Sequence, residues 1–597
     1  MAAAAGGSAA AAAAAAVRYL GVSEPVSVAR PTPTDEKRAA EMTTFLEQNN
    51  RFESRADKQH REAVLAELGR LLSAWVKNVS LALDPPLADP ASQRAHLFSF
   101  GSYRLGVNAR DADIDTVCIV PSHIDAFRDF FGLSPDGSEE PPETGNKWRA
   151  DERLECILQE TLERHPMCEN LVAVSGAFTP ILTFDFNGVE IDVACGVVAH
   201  KTLPEVRRRA APAGPPSVPP ERARLWQRMT HIDDKYLMGA SENTVRSLNG
   251  TRVADAILQL VPQHGPFKLA LRLIKMWCKN RGLYSNKLGY LGGVQLAILT
   301  ARICQLYPCA AANTIVAKFF KVLGIWSTVA GKWGPTDPIR LNKEGQEKKT
   351  VPGQGTEWEV LDRSIWEPPL QEQTTYGKPS RRREELLPIL TPAYPSMNST
   401  FNMNNSTKRI LLQELERGQK ITEQIDASTA SSMGGWSELV EPTDFFSARY
   451  KTFVRVDFVA GTEENHRSWV GLSESQLRTF VDSLEGGPGR KSQFLAHVYP
   501  KGFDWSSVWQ EGTGWPEHIQ NAPSNRFAHS FFIGVELKPN AVPNEKVELR
   551  FQMDKFKAHL IKKATDGKFY TDDMSVDMSP VKKKVRANRC CCSPVNK

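Results

Sequence analysis

The sequence contains no apolar run of about 20 residues, the length that a helix needs to cross a bilayer. We therefore expect no membrane partner. It has 10 cysteines but no Cys-x-x-Cys pair, which argues against structural zinc and suits a reducing compartment. The net charge is only +5 over 597 residues. Any surface for nucleic acid must therefore be local, because no excess of basic charge covers the whole chain.

The first residues are poor in charge and in large side chains. Residues 1–16 are almost all alanine and glycine, with no basic n-region and no strong apolar core, so they match a secretory signal poorly. We predict a disordered extension there. The chain as a whole is longer than the roughly 250 to 300 residues that one core supports, so several domains are expected.

The most informative stretch runs from residue 98 to residue 120. It places the turn Gly101-Ser102 before Asp113 and Asp115 on a predicted strand. Alternate residues of a strand share a face about 7 Å apart, and two such carboxylates suit a pair of divalent cations that clamp a phosphoryl group. The backbone of the turn suits outgoing phosphates. Asp-x-Asp is also a common surface pattern, so a solvated strand remains the alternative.

A predicted hairpin supplies a third carboxylate. Strands over 177–186 and 189–195 flank Asn187-Gly188, a strong hairpin turn. Glu190 and Asp192 share one face of the second strand. If this hairpin pairs beside the strand of Asp113 and Asp115, Asp192 completes a metal-binding triad. Otherwise the two acidic residues belong to a solvated edge strand.

Hydrophobic periodicity divides the rest of the chain. It predicts helices at 35–47, 64–75 and 153–165 and a helix-rich region over 233–427. There the helix 267–280 carries the basic stripe Arg272, Lys275 and Lys279, a pattern typical of a solvated face.

A third domain is predicted where strands return after residue 445. The strand candidates are 454–458, 531–537 and 547–554, and a helix is predicted at 473–484. The basic cluster 582–586 then indicates a nuclear import signal or a nucleic-acid tail, with a merely solubilising end as the alternative.

Several separated motifs together resemble the eukaryotic nuclear poly(A) polymerases, members of the polymerase-beta-like nucleotidyltransferase superfamily. The motifs are FGSYRLGV at 100–107, ADID at 112–115, Ile191-Asp192, RSLNG at 246–250, YSN at 284–286, LGYLGGV at 288–294 and TPAYPSMNST at 391–400. The resemblance covers residues from about 19 to about 560, nearly the whole chain.

The resemblance implies an α+β multidomain fold. It comprises a nucleotidyltransferase (polymerase-beta-like) domain with a mixed sheet, a helical middle domain and an RNA-recognition-motif-like α/β sandwich at the C-terminal side. The expected divisions are a disordered tail 1–18, a segment 19–50 packing with the middle domain, the catalytic domain 51–200, the middle domain 201–435 with insertions near 201–230 and 327–380, the third domain 436–565 and a basic, cysteine-containing tail 566–597.

Site residues follow from the resemblance position by position. Asp113, Asp115 and Asp192 match catalytic ligands of two Mg²⁺ or Mn²⁺ ions. The residues that match an ATP site are Phe100, Gly101, Ser102, Asn249, Lys275, Tyr284, Asn286, Gly293 and Val294. Lys275 thereby leaves the solvated face, whereas Arg272 and Lys279 stay on it.

Two positions depart from the family pattern. Asn108-Ala109 stands where many relatives have His followed by Thr, and Asp111 replaces a frequent Gly. Asp111 either adds charge near the metals or points to water, and we favour water.

The activity implied is template-independent adenylyl transfer from ATP to RNA 3′ ends, with release of pyrophosphate. We expect RNA 3′ ends, ATP and cleavage and polyadenylation factors as partners, a monomer and a nuclear location. One alternative is a related RNA 3′ nucleotidyltransferase with another nucleotide specificity, such as a uridylyl- or CCA-adding enzyme. The other is a catalytically inactive RNA-binding homologue. The third domain shows no aromatic ribonucleoprotein signature, so its RNA-binding surface stays unassigned.

Overall fold

The computed structural model describes most of the chain. The described residues are 20–83, 87–133, 156–175, 179–203, 232–328, 333–334, 337–350, 357–367, 385–485, 494–505, 527–538, 549–567 and 570–582. The predicted tail 1–18, most of the insertion 201–230 and the basic run 583–586 lie outside them. No helix within the described residues is long and apolar enough to span a bilayer.

A five-stranded mixed sheet forms the first part of the fold. Its strands are β1 (His96–Ser99), β2 (Ile114–Val120), β3 (Cys168–Val174), β4 (Ile181–Phe186) and β5 (Val189–Val197), in the spatial order β1-β2-β5-β4-β3. Only β2 and β5 run parallel. The predicted hairpin is confirmed as β4–β5. Asn187 and Gly188 have φ of 51° and 74°, as a type I′ turn requires.

Helices cover both faces of this sheet. They are α2 (Arg55–Ala82), α3 (Gly101–Leu105), α4 (Arg128–Phe131), α5 (Leu158–Glu163) and α6 (Glu242–Leu260). Residues such as Leu72 of α2 pack against Ile114 and Ile191 on one face. Leu248 of α6 packs against Val117 on the other. Because side chains alternate along β2, Asp115 faces α6 with Val117.

The middle region is helical, as expected. It contains α7 (His264–Asn280), α8 (Gly293–Leu306), α9 (Ala312–Thr328), α10 (Glu357–Asp362), α11 (Asn405–Ala427) and α12 (Met433–Val440). The N-terminal helix α1 (Pro33–Gln48) belongs to the same hydrophobic core through Met42 and Leu46. Trp277 of α7 meets the rings of Phe319 and Phe320 edge to face at the centre of this core.

The third region is a five-stranded antiparallel sheet with two long helices. Its elements are β6 (Thr452–Ala460), α13 (Glu463–Glu485), β7 (Phe494–Val498), β8 (Phe503–Asp504), β9 (Phe527–Leu537), α14 (Arg550–Asp566) and β10 (Ser575–Lys582). The order β10-β6-β9-β7, with β8 on β9, is the ferredoxin-like arrangement of RNA-recognition-motif folds.

Two predictions about this region are wrong. The strand predicted at 547–554 is not formed, because the described residues from 550 onward belong to helix α14. Met553, Phe556 and Leu560 of this helix are buried at helical spacing. The predicted tail also starts too early. Residues 575–582 form β10, which pairs with β6 along its whole length.

The prediction that residues 327–380 form an inserted surface loop is wrong in part. Leu341 is fully buried in the helical core, and Leu361 and Ile365 pack beneath the catalytic sheet. These described stretches, 337–350 and 357–367, are therefore structural and not surface loops. Residues 368–380 lie outside the described residues.

Candidate active site

Three carboxylates meet where β2 and β5 begin side by side. Asp115 and Asp192 are direct partners in the parallel register. Asp113 precedes β2 by one residue, so it lies just outside the strand that the sequence predicted for it. Carboxylate oxygens of Asp113, Asp115 and Asp192 lie within 4.8 Å of one another. The structure thus brings together the three residues that the sequence singled out.

The turn before β2 fits closely around Asp115. The Phe100 amide donates a hydrogen bond to the Asp115 carbonyl oxygen at 2.9 Å. Gly101 has φ of 61°, and a Cβ atom there would come within 2.0 Å of Asp115 Oδ2. Only glycine can therefore stand between the turn and the carboxylate. Ser102 follows at the start of α3.

A threonine that sequence reasoning missed holds the third carboxylate. Thr183 of β4 stands opposite Asp192 in the hairpin and donates a hydrogen bond to its Oδ1 at 2.7 Å. The register of the Asn187-Gly188 hairpin was the signal that would have found it, because that register pairs residue 183 with residue 192.

The electrostatics of the cluster favour a cation. Burial raises the pKa of Asp115 to about 7, and the charges of Asp113 and Asp192 act in the same direction. Burial also raises the pKa of Asp192, whereas the hydrogen bond from Thr183 lowers it. Closely spaced carboxylates of this kind are stabilised by divalent ions, whose ligands are oxygen atoms. The residues present therefore fit Mg²⁺ or Mn²⁺.

The opposite wall of the site comes from α7 and the segment after it. Burial and the neighbouring Lys279 lower the pKa of Lys275 to about 8, while Asp113 and Asp115 act to raise it. Partial burial raises the pKa of Tyr284 to about 12, and its hydroxyl lies beside the backbone of Gly293. A cleft results, with the carboxylates on one side and the half-buried Lys275 and the exposed Lys279 on the other.

The assignment of Arg272 to a solvated face is wrong, whereas Lys279 is exposed as predicted. Arg272 donates hydrogen bonds to the carbonyl oxygens of Arg51, at 3.1 Å, and Gly106, at 2.8 Å. Its guanidinium lies 4.9 Å from the centroid of the Phe52 ring. The Lys279 Nζ lies 5.1 Å from the centroid of the Tyr284 ring. Arg272 thus belongs to the framework of the cleft, and Lys279 lies at its surface beside Tyr284.

The other predicted ATP-site residues lie on α6, at the start of α8 and in the turn between α7 and α8. Asn249 of α6 accepts a hydrogen bond from Arg252 at 2.8 Å, and Gly293 and Val294 begin α8. The Oδ1 of Asn286 is buried and finds no hydrogen-bond partner among the described residues. That atom is an acceptor suited to a donor on a ligand.

The loop before Asp113 is anchored by a second residue that sequence reasoning missed. Arg61 of α2 donates hydrogen bonds to the carbonyl oxygens of Arg110, at 2.7 Å, and Ala112, at 2.6 Å. A lone arginine in an amphipathic helix carried no signal of this role. Asp111 within the loop is exposed and does not belong to the carboxylate cluster, in line with the preferred interpretation that it points to water.

A mixed sheet with clustered carboxylates beside a glycine-dependent turn defines a nucleotidyltransferase domain. Three family models match the chain. They are the poly(A) polymerase nucleotidyltransferase domain at residues 21–207 and 221–261, the central domain at 266–442 and the predicted RNA binding domain at 444–521. The chain therefore belongs to the poly(A) polymerase family, which confirms the resemblance and the expected fold class.

Curated relatives agree with this assignment. Poly(A) polymerase of Dictyostelium discoideum is 34% identical over 95% of this chain and 58% of its own. Nuclear poly(A) polymerase 1 of Arabidopsis thaliana is 33% identical over 95% of this chain and 66% of its own. Nuclear poly(A) polymerase 4 of the same plant is 31% identical over 90% and 60%. The chain thus spans about three fifths of the length of these relatives.

Proposed function

We propose that this chain is a template-independent polynucleotide adenylyltransferase that adds AMP from ATP to RNA 3′ ends. The observation that carries the proposal is the meeting of Asp113, Asp115 and Asp192 across the parallel pair β2–β5, within 4.8 Å of one another. Membership of the poly(A) polymerase family supports it.

The reaction forms one bond and breaks another. The RNA 3′ oxygen attacks the α-phosphorus of ATP, the bond to the bridging oxygen breaks, and pyrophosphate leaves while the hydroxyl proton passes to solvent. Asp113, Asp115 and Asp192 would hold two Mg²⁺ or Mn²⁺ ions, which when bound lower the pKa of the 3′ hydroxyl and neutralise phosphate charge. No protein base is required.

The chain's own groups bind and orient the nucleotide. Ser102 and the turn before it would bind the leaving phosphates, and Lys275 would balance their charge from the opposite wall. Lys275 is half-buried beside Lys279, so a bound phosphate anion would stabilise its charged form. Asn286 offers its open acceptor towards a nucleotide donor.

Primer extension tests the proposal and its nearest alternative together. An oligo(A) primer is incubated with Mg²⁺ or Mn²⁺ and each of the four nucleoside triphosphates separately. We expect extension with ATP far above the others. Preferential extension with UTP or CTP would make the chain a transferase of other specificity, and no extension with any nucleotide would favour an inactive RNA-binding homologue.

Substitution of two acidic residues, one inside the carboxylate cluster and one outside it, tests where catalysis takes place. Asp115→Asn should abolish extension, because it removes a charge from the carboxylate cluster without changing side-chain shape. Glu190→Gln alters the next acidic residue on the same face of β5, which lies outside the cluster, and should extend primers at the wild-type rate. Normal activity in Asp115→Asn would refute the assignment of the site.

We also propose that the chain acts in the nucleus with cleavage and polyadenylation factors. Two of the relatives named above are nuclear enzymes, and basic residues follow β10 in the sequence. Deletion of 583–597 leaves β10 whole, and fluorescence imaging should then show loss of nuclear accumulation. Unchanged nuclear accumulation would show that residues 583–597 do not contain the nuclear import signal.

A further inference from the structure

A second group of metal-ligating side chains lies in the third region, apart from the three carboxylates. His466, Asp504 and His529 each offer one ligand atom, and these atoms lie within 4.8 Å of one another. The three residues line a cavity of about 480 Å³. Neither the family assignment nor the proposed adenylyl transfer gives this cluster a role.

The fold builds the cluster from three separate elements. Asp504 of β8 and His529 of β9 are cross-strand partners. His466 lies near the start of α13, where its amide donates to the carbonyl oxygen of Thr462 at 3.0 Å. Residues that are well separated in the sequence therefore converge on one point at the end of the sheet.

One detail points to a ligand between these side chains, and a second shows how closely His529 packs on the backbone. His466 is only 6% exposed, and its Nε2 finds no hydrogen-bond partner among the described residues. A buried imidazole nitrogen without a partner is costly unless something occupies it. In addition, a Cβ atom at Gly502 would come within 1.8 Å of Nε2 of His529, so only glycine leaves room for that ring.

We propose that His466, Asp504 and His529 form a Zn²⁺ site. Two imidazoles and one carboxylate are a ligand set that Zn²⁺ takes in proteins, with a fourth position left for water or another donor. Mg²⁺ instead prefers oxygen ligands alone, so this cluster and the cluster of three carboxylates suit different ions. The lack of Cys-x-x-Cys pairs argues only against zinc bound by cysteine, so it does not exclude a site made from histidine and aspartate.

The observed spacing is close to that of a bound ion. Tetrahedral Zn²⁺ with bonds of about 2.0 to 2.1 Å separates its ligand atoms by about 3.4 Å. The side chains must therefore close in by little more than an ångström. The cavity beside them, which Glu463 also lines, has room for the fourth ligand.

The ion would tie the start of α13 to the edge formed by β8 and β9. Strand β8 has only two residues, so few backbone hydrogen bonds hold it in place. A ligand that binds only the folded form stabilises that form by mass action. We therefore expect bound Zn²⁺ to protect β8 and the first turn of α13 from unfolding.

Zinc stoichiometry tests the site directly. The full-length protein is stripped with a chelator and equilibrated with Zn²⁺ in excess Mg²⁺, which keeps the three-carboxylate site occupied by its preferred ion. Metal is then counted by mass spectrometry. We expect the wild type to hold one Zn²⁺ per chain more than Asp504→Asn or His529→Gln. His559→Gln, a histidine of α14 outside the cluster, should keep the wild-type count.

A second measurement distinguishes loss of zinc binding from misfolding of a variant. Asp504 is exposed, so Asp504→Asn should fold and extend primers normally. Zn²⁺ should raise the Tm of the wild type and of His559→Gln by several degrees and leave that of Asp504→Asn unchanged. Equal zinc counts in all four proteins would overturn the proposal, as would an equal rise in Tm for Asp504→Asn.

Discussion

Gly101 illustrates how a single residue sets the geometry of the carboxylates. Its left-handed φ of 61° and the 2.0 Å approach of a Cβ to Asp115 Oδ2 leave no room for a side chain. Gly101→Ala should displace the carboxylate by about 1 Å and lower kcat about 100-fold or more. Primer extension kinetics measure the loss.

Gly188→Ala is the matched control for backbone strain. Gly188 has a similar φ of 74°, but nothing lies within 4 Å of its added Cβ. The Gly188→Ala variant should be destabilised by the same backbone strain but keep the wild-type kcat per folded molecule. Equal losses of kcat in the two variants would show that strain, and not the contact with Asp115, controls activity.

Thr183 should tune the binding of the catalytic ions. Thr183→Val keeps the shape of the side chain but removes the 2.7 Å hydrogen bond to Asp192. Partners of this kind are worth about 10- to 100-fold in metal affinity. The Mg²⁺ concentration for half-maximal extension should therefore rise by that factor, with little change in the KM for the RNA primer. Thr183→Ser should restore it, and a normal Mg²⁺ requirement in Thr183→Val would contradict the role.

Sequence reasoning reached the carboxylates but not their supports. Asp192 could be predicted because Asn187-Gly188 fixes the register of a local hairpin. The sequence could state the pairing of β2 with β5 only as a condition for the metal-binding triad. Strands far apart in sequence are brought together by the packing of α2 and α6 on the sheet, which local patterns do not show. Arg61 and Arg272 act through carbonyl oxygens of distant loops, and no pattern of residue types encodes such contacts.

At the scale of elements, an ion pair joins the glycine turn to α6. Arg104 of α3 donates hydrogen bonds to both oxygens of Asp255, at 2.6 and 2.8 Å, and Asp255 is almost fully buried. Asp255→Asn leaves the Arg104 charge poorly compensated away from water, so we expect a loss of about 3 kcal/mol in the free energy of unfolding. Denaturant unfolding followed by tryptophan fluorescence measures it.

A surface pair provides the comparison. Glu416 and Lys420 form an exposed pair along α11, so Glu416→Gln should leave the unfolding midpoint almost unchanged because water screens the interaction. If Asp255→Asn were equally harmless, the pair with Arg104 would not be what holds α3 against α6.

The wrong strand at 547–554 shows a limit of periodicity. Alternation there directs Phe551 inward, yet Phe551 is 70% exposed. Buried positions instead continue as Phe556, Leu560 and Ala564, a helical spacing that extends beyond the short window. A few alternating residues at the start of an amphipathic helix can match the period of a strand, and only the longer run distinguishes them.

On the scale of the whole molecule, the middle and third regions share one hydrophobic core. The core runs from α7, α8 and α9 to β6, β9 and α14. Polar contacts reinforce it. Tyr290 donates to the carbonyl oxygen of Val498 at 2.9 Å, and the amide of Ala496 donates to Ser406 at 3.0 Å. The catalytic sheet has its own cores on its two faces, so the cleft lies where separate cores meet.

Strand β10 completes the third region, so the chain should tolerate truncation after residue 582 but not before 575. Loss of β10 would leave β6 as an open edge and uncover the buried Met578. A chain ending at 569 should therefore aggregate, and hydrogen exchange should show loss of protection in β6. A chain ending at 582 should stay soluble and retain wild-type protection there. Similar protection of β6 in both truncated chains would show that the sheet does not depend on β10.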